Sequence, residues 1–332
     1  MVRTSTAEEN GYICPACGDE LHQDRSGRGY VKHSTNRECG FEAGERDGDG
    51  SRGSALSSQI ADRERTEERA LNFSGRGLDH VRSILDRATT ADRVMPPTEL
   101  FNEGWLLRLA LDWFSKHPEV QSPLRVPTGS HWYSEALLPT QFGSRKGGIA
   151  LGESHTHADG AIGRFTIGGT GAGDLVLAGN ATHFVIVEAK LNSKLSAGVT
   201  NAPNFDQAAR NVACMARVMC EADVRPEQIS RLGFVVVAPA SQIDRGYFAS
   251  ELTKESLQAK VASRAAAYEE AAQTTWVEEW FLPVLDAMEV DAVSWETVLA
   301  TIEAHDDSAD HWFAEFYDCC LHYSRLPGRT TS

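Results

Sequence analysis

The chain has 332 residues, 41% of them hydrophobic and 24% charged, which is the composition of a globular protein with one large domain and a small module, or with two domains. No apolar run reaches about 18 residues, which excludes a transmembrane helix, and the opening MVRTSTAEENGY lacks the apolar centre of a signal peptide, so a cytoplasmic location without a membrane partner is expected. The net charge of −15 argues against a nucleic-acid partner when taken whole, but residues 206–332 hold most of it, with 10 Lys+Arg against 21 Asp+Glu, and the near-neutral remainder leaves room for a basic face.

Residues 1–47 read as a small metal-held module. Cys14-Pro-Ala-Cys17-Gly is a tight knuckle whose two thiolates can grip one tetrahedral Zn²⁺, and YVKHSTNRECGF supplies His33 and Cys39 as the second pair. His22 is the alternative fourth ligand, although it sits close to Cys17. A Cys3His set leaves no open position, so the zinc is structural, and so short a segment depends on it for folding. Seven cysteines without a secretion signal argue against a disulfide framework. Arg25, Arg28, Lys32 and Arg37 nearby could contact phosphates or simply be solvated.

Residues 48–97 read as the DGDGSRGSA linker and a helical connector, ended by Met95-Pro96-Pro97. Thr98 is placed to cap a helix over about residues 99–116, apolar nearly all round and therefore buried. HWYSEALLP reads as a strand, and residues 140–173 as Gly-rich short strands and loops. GDLVL and THFVIVEAKL read as strands, NFDQAARNVACMARVMCEA as a helix and LGFVVVAPA as a strand. From about 251 everything reads as helix, including the aromatic-rich WVEEWFLPVL and DHWFAEFYDCCLHY, whose rings pack between helices. Cys214, Cys220, Cys319 and Cys320 read as small core residues. The order over residues 98–245 predicts a mixed α/β layer structure, followed by a helical region over 246–332.

The chemistry concentrates on THFVIVEAKL. Side chains alternate along a strand, so Glu188 and Lys190 share a face. If GNATH is a hairpin loop, Asp174 of the preceding strand pairs with Glu188 and two carboxylates converge beside a lysine. A divalent cation would offset their repulsion, and two carboxylates suit Mg²⁺ or Mn²⁺. Lys190 would then orient a water or stabilise a phosphorane in metal-assisted hydrolysis. The Glu-x-Lys tripeptide alone says little in a chain with 27 Glu, and a structural ion pair is the plain alternative. Gln207 and Asn211 lie one turn apart on the following helix and face the same way, as either site residues or a polar helix edge. His155, His157 and Asp159 around THADG could bind metal on a strand, but read more simply as a Gly-rich loop with incidental histidines, which could also lie near the active site and touch substrate.

Together GDLVL, VIVEAK, Gln207 in FDQAARN, and FVVVAP resemble the PD-(D/E)XK nuclease superfamily over about residues 98–240. The resemblance implies a restriction endonuclease-like core of helix, three strands, helix and strand. It implies Asp174 and Glu188 as Mg²⁺ ligands, Lys190 as catalytic lysine, and a helix-borne acid, Glu103, as a third ligand, with Glu135 as its rival. Gln207 matches a polar residue that often follows, while Gly173 stands where the family commonly has proline. The N-terminal segment resembles the zinc ribbons that often precede nuclease domains. The expected function is a metal-dependent DNA endonuclease of bacterial restriction, repair or anti-phage defence. Arg outnumbers Lys by 25 to 7, as GC-rich bacterial genomes tend to encode. Without a P-loop or dinucleotide fingerprint, any ATP motor belongs to a partner. Many enzymes of this fold act as dimers. The alternative is a non-catalytic module that binds nucleic acid, or docks a basic protein through the acidic C-terminal third. A glycoside hydrolase would leave Lys190 and the zinc segment without a role.

Overall fold

The computed structural model describes residues 75–324, except 91, 144–155, 169–173, 199–201, 269–270 and 307–309, together with four short strands among the first 74 residues. The chain divides into two compact units, Met1–Ser83 and Ile84–Ser332. In the first, β1 (Val2–Arg3), β2 (Tyr12–Ile13), β3 (Glu20–Gln23) and β4 (Val31–His33) form an antiparallel sheet in sequence order. Cys14, Cys17, Cys39 and the side-chain placement of His33 lie outside the described residues, and the zinc expectation lies there with them. Helix α1 (Gly75–Asp86) ends just past the division between the units.

In the second unit the Pro96-Pro97 break does not lead directly into a helix. Pro97–Glu99 makes a single 3₁₀ turn, and α2 (Glu103–Lys116) starts afresh from Asn102, whose side chain accepts from Trp105 N at 3.0 Å. The expected cap, Thr98, instead gives its carbonyl to the Asn102 side-chain amide at 2.9 Å.

The main sheet has five strands in the order β11-β10-β9-β6-β5: β5 (His131–Leu138), β6 (Thr156–Gly163), β9 (His183–Ala189), β10 (Arg231–Ala238) and β11 (Glu289–Ser294). β5 and β6, and β6 and β9, run antiparallel; β9, β10 and β11 run parallel. β9 is buried at every position, as an apolar strand covered on both faces must be. Phe184 and Ile186 face α3 (Gln207–Glu221) in one core, and Val185, Val187 and Ala189 face α2 in the other. Gly160 of β6 lets α2 approach, since a Cβ there would stand 3.1 Å from both Leu107 and Leu111.

Two expectations need correction. β8 (Leu175–Leu177) does not pair with β9; it pairs antiparallel with β7 (Phe165–Ile167) in a separate two-stranded sheet, so the GNATH segment is not a hairpin loop. β6, from the Gly-rich stretch, takes the place beside β9. The C-terminal region is not purely helical. Helices α4 (Ala240–Asp244), α5 (Lys254–Ala266), α6 (Ala271–Trp276) and α7 (Leu282–Ala287) lead to β11, which extends the sheet before α8 (Trp295–Glu303) and α9 (Asp310–Ser324). Those later elements contribute to both cores, so residues 246–332 belong to the same compact unit as the preceding α/β core. Among the described residues no helix is long and apolar enough to cross a membrane.

Candidate active site

The site forms where β6 and β9 part. Their ladder ends at Gly160↔Val187, and one further step in this register sets Asp159 across from Glu188. There the Ala189 N–H turns to the Asp159 carboxylate, donating to Oδ2 at 2.8 Å. Side-chain alternation holds at the end of β9, because Lys190 Nζ lies 2.5 Å from Glu188 Oε1. Lys190 itself is fixed at the backbone. Its N–H donates to Val237 O at 2.8 Å and its carbonyl accepts from Trp295 Nε1 at 2.9 Å.

Glu188 has no exposed surface. Its carboxylate is held from α3, whose N-cap Asp206 accepts from Ala209 N at 3.0 Å and sets the helix's first turn. Gln207 Nε2 donates to Glu188 Oε1, and Asn211 Nδ2 donates to Oε2 at 3.1 Å. The polar helix edge is therefore turned inward, onto the carboxylate. Gln207 is gripped in turn by the preceding loop: its Oε1 accepts from Ser196 N at 3.0 Å, and its own N–H donates to Ser196 O at 3.0 Å. Burial, and then the nearby charge of Asp159, push the Glu188 carboxyl up to about 8 against the opposing pull of Lys190.

Asp174 lies elsewhere. It bridges to Leu137 at the outer edge of β5, so β5 and β6 stand between it and β9. At about 4.8 Å per strand the backbones are roughly 14 Å apart. The hairpin expectation failed because β7 and β8 pair with each other. The acid that reaches Glu188 is Asp159, on β6 and not in a Gly-rich loop. Its available signal was the His157-Ala158-Asp159 alternation, hidden by Gly160 and Gly163. His157 is exposed. His155 and Gly173 lie outside the described residues.

Glu103 and Glu135 both line one open pocket of about 340 Å³, with Glu99, Asn102, Trp105, Arg108 and Asp159. Glu135 sits across from Asp159 in register, between Ser134↔Gly160 and Ala136↔Ala158, and has a φ of 55°. This left-handed conformation costs a non-glycine residue about 1 kcal/mol. Its carboxylate meets Arg108 at 3.3 Å. Among the described residues, no three His, Cys, Asp or Glu side chains gather closely enough to hold a metal ion, so the expected set of Asp174, Glu188 and Glu103 is not assembled. Asp159 and Glu188 are a carboxylate pair with a lysine beside it. Such an oxygen-only pair fits a hard divalent cation, which ordinarily completes its shell with water and substrate oxygens. No protein-family model, no curated protein and no solved structure matches the chain.

Proposed function

We propose that this protein is a metal-dependent nuclease that hydrolyses DNA phosphodiester bonds. The observation that carries the reading is the convergence of Asp159, Glu188 and Lys190 at the parting of two strands. The order carboxylate, then Glu-x-Lys on the next strand of the sheet, is the pattern by which the chain resembles the PD-(D/E)XK nucleases, with Asp159 in place of Asp174. The surrounding order also supports it: α2, then β5, β6 and β9, then α3 and β10, with the β7–β8 pair inserted.

Asp159 and Glu188 would hold Mg²⁺ or Mn²⁺, which supplies Lewis-acid polarisation of the phosphoryl group and offsets the charge of the carboxylate pair. The remaining chemistry belongs to the chain. Gln207 and Asn211 fix the plane of the Glu188 carboxylate, so that its remaining lone pairs keep one direction through turnover. Lys190 stands beside that carboxylate as a fixed positive charge. It orients the attacking water and stabilises the negative charge that grows on the phosphate as the new P–O bond forms and the bridging P–O bond breaks. Cys14, Cys17, His33 and Cys39 are proposed to hold a structural Zn²⁺ in the N-terminal unit, as an aid to substrate or partner binding.

The test is cleavage of supercoiled plasmid and labelled single-stranded DNA with Mg²⁺, Mn²⁺ or EDTA. The natural protein should nick in a metal-dependent way and Lys190→Ala should not. Equal cleavage by both proteins would overturn the assignment. Absence of cleavage together with absence of Mg²⁺ affinity would favour a binding module.

A further inference from the structure

Arg108 has no part in the chemistry above, yet its position is closely determined. Among the described residues lining the pocket it is the only cation, facing Glu99, Glu103, Glu135 and Asp159. Its Nε donates to Ser134 Oγ at 2.9 Å, a terminal nitrogen reaches Glu135 Oε1 at 3.3 Å, and its guanidinium carbon lies 5.2 Å from the centre of the Trp105 ring. Gly104 leaves the guanidinium its room, since a Cβ there would stand 3.3 Å from Nη1. The strain lies in the backbone of its partner: Glu135 is half-exposed and holds its φ of 55° within a strand. An ion pair this open to water contributes little to stability, so it does not account for the strained backbone beneath it. Backbone strain of this kind collects at functional sites.

We infer that Arg108 is the residue that binds the substrate phosphate, and that Glu135 holds its place until substrate arrives. This rests on the nuclease reading for the identity of the anion, a phosphodiester of a nucleic acid strand. The planar guanidinium fork matches phosphate oxygens and can exchange one anion for another without moving. Its bond to Ser134 and its approach to the Trp105 ring stay in place during the exchange; only the contact with Glu135 is given up. The pocket, at about 340 Å³, lies within the usual size range of small ligand sites and reaches Asp159.

Three roles for the pair predict different kinetics. A placeholder competes with substrate, so Glu135→Gln lowers KM. A metal-ligand role for Glu135 makes the same change lower kcat. A merely structural pair moves the unfolding midpoint and neither constant.

The experiment combines steady-state cleavage of labelled DNA with binding of the same DNA by fluorescence anisotropy, with Ca²⁺ replacing Mg²⁺. It uses the natural protein, Arg108→Ala, Arg108→Lys and Glu135→Gln, each checked for folding by its unfolding midpoint. Arg108→Ala should raise KM and Kd about tenfold with little change in kcat, and Arg108→Lys should fall between, since it keeps the charge and loses the fork. Glu135→Gln should tighten binding about threefold, and it carries the test if Arg108→Ala does not fold. Natural affinity in Arg108→Ala, or lost turnover in Glu135→Gln, would overturn the inference. If the natural protein binds DNA without cutting it, the nuclease reading fails while loss of binding in Arg108→Ala still upholds the contact. If the natural protein binds no DNA, the inference falls as well.

Discussion

A carboxyl group with no exposed surface is costly to ionise, and Glu188 is such a group. Three donors, from Lys190, Gln207 and Asn211, turn toward its two oxygens, yet burial and the charge of Asp159 still raise it to about 8. Between the ordinary 4.5 and about 8, the folded protein holds a proton that the unfolded chain has released, so this group makes the fold less stable as pH rises through that window. Glu188→Gln should therefore flatten the fall in stability between pH 5 and pH 8, read as the difference between urea midpoints of variant and natural protein at the two pH values. An unchanged difference would contradict the assigned environment. The same carboxyl should give up its proton when a divalent ion binds at pH 7, so the calorimetric heat of Mg²⁺ binding should depend on the ionisation enthalpy of the buffer. At this scale the Glu188–Lys190 pair was legible from strand alternation alone. The donors from α3 were legible as a shared helix face but not in their direction, because a polar edge looks the same whether it meets water or a buried carboxylate.

Asp159 is hard to read from sequence because its role depends on which strands pair. Strands adjacent in sequence need not be adjacent in the sheet. β7 and β8 close on each other, and β9 pairs instead with β6, whose glycines hide its alternation. Gly160 is there for packing: Gly160→Val would drive a side chain toward Leu107 and Leu111, so it should cost about 1–3 kcal/mol in urea unfolding, with α2 displaced from β6. β11 was missed for a different reason. Its first four residues alternate between exposed and half-buried, Val293 is buried, and the strand lies between helices and pairs parallel with β10, a partner that local sequence does not reveal. α2 was found but its start misplaced, because the double proline ends in its own 3₁₀ turn before Asn102 caps the helix. The far end of β9 carries a second titrating group. Burial, then the charges of Arg231 and Arg125, lower His183 to about 4, below its ordinary 6.5. The folded protein binds fewer protons here than the unfolded chain, so this contribution is whole above about pH 6.5 and is lost as pH falls toward 4. His183→Gln should flatten the acid side of the stability profile, measured by urea midpoints at pH 4.5 and 6.5; an unaltered profile would contradict it.

Across the molecule, the sheet separates the two cores and sets out the site at one end. Glu188 and Lys190 stand at the carboxyl end of β9, beside the parallel strand β10, which is where open α/β sheets place ligands. His183 occupies the opposite end of the same strand. α2 brings Arg108 and Glu103 to the mouth of the pocket, and α8 pins the backbone of Lys190 through Trp295. The mixed α/β class was legible from the order of the elements. The partner of Glu188 was not, because it depends on a long-range pairing. The proposed activity therefore turns on which aspartate works with Glu188 and Lys190. The direct measurement is Mg²⁺-dependent cleavage of plasmid DNA by Asp159→Asn and Asp174→Asn beside the natural protein. With Asp159 as that partner, cleavage should fall by about a thousandfold or more in Asp159→Asn and stay within a few-fold of natural in Asp174→Asn. Retained cleavage in the first and loss in the second would contradict it.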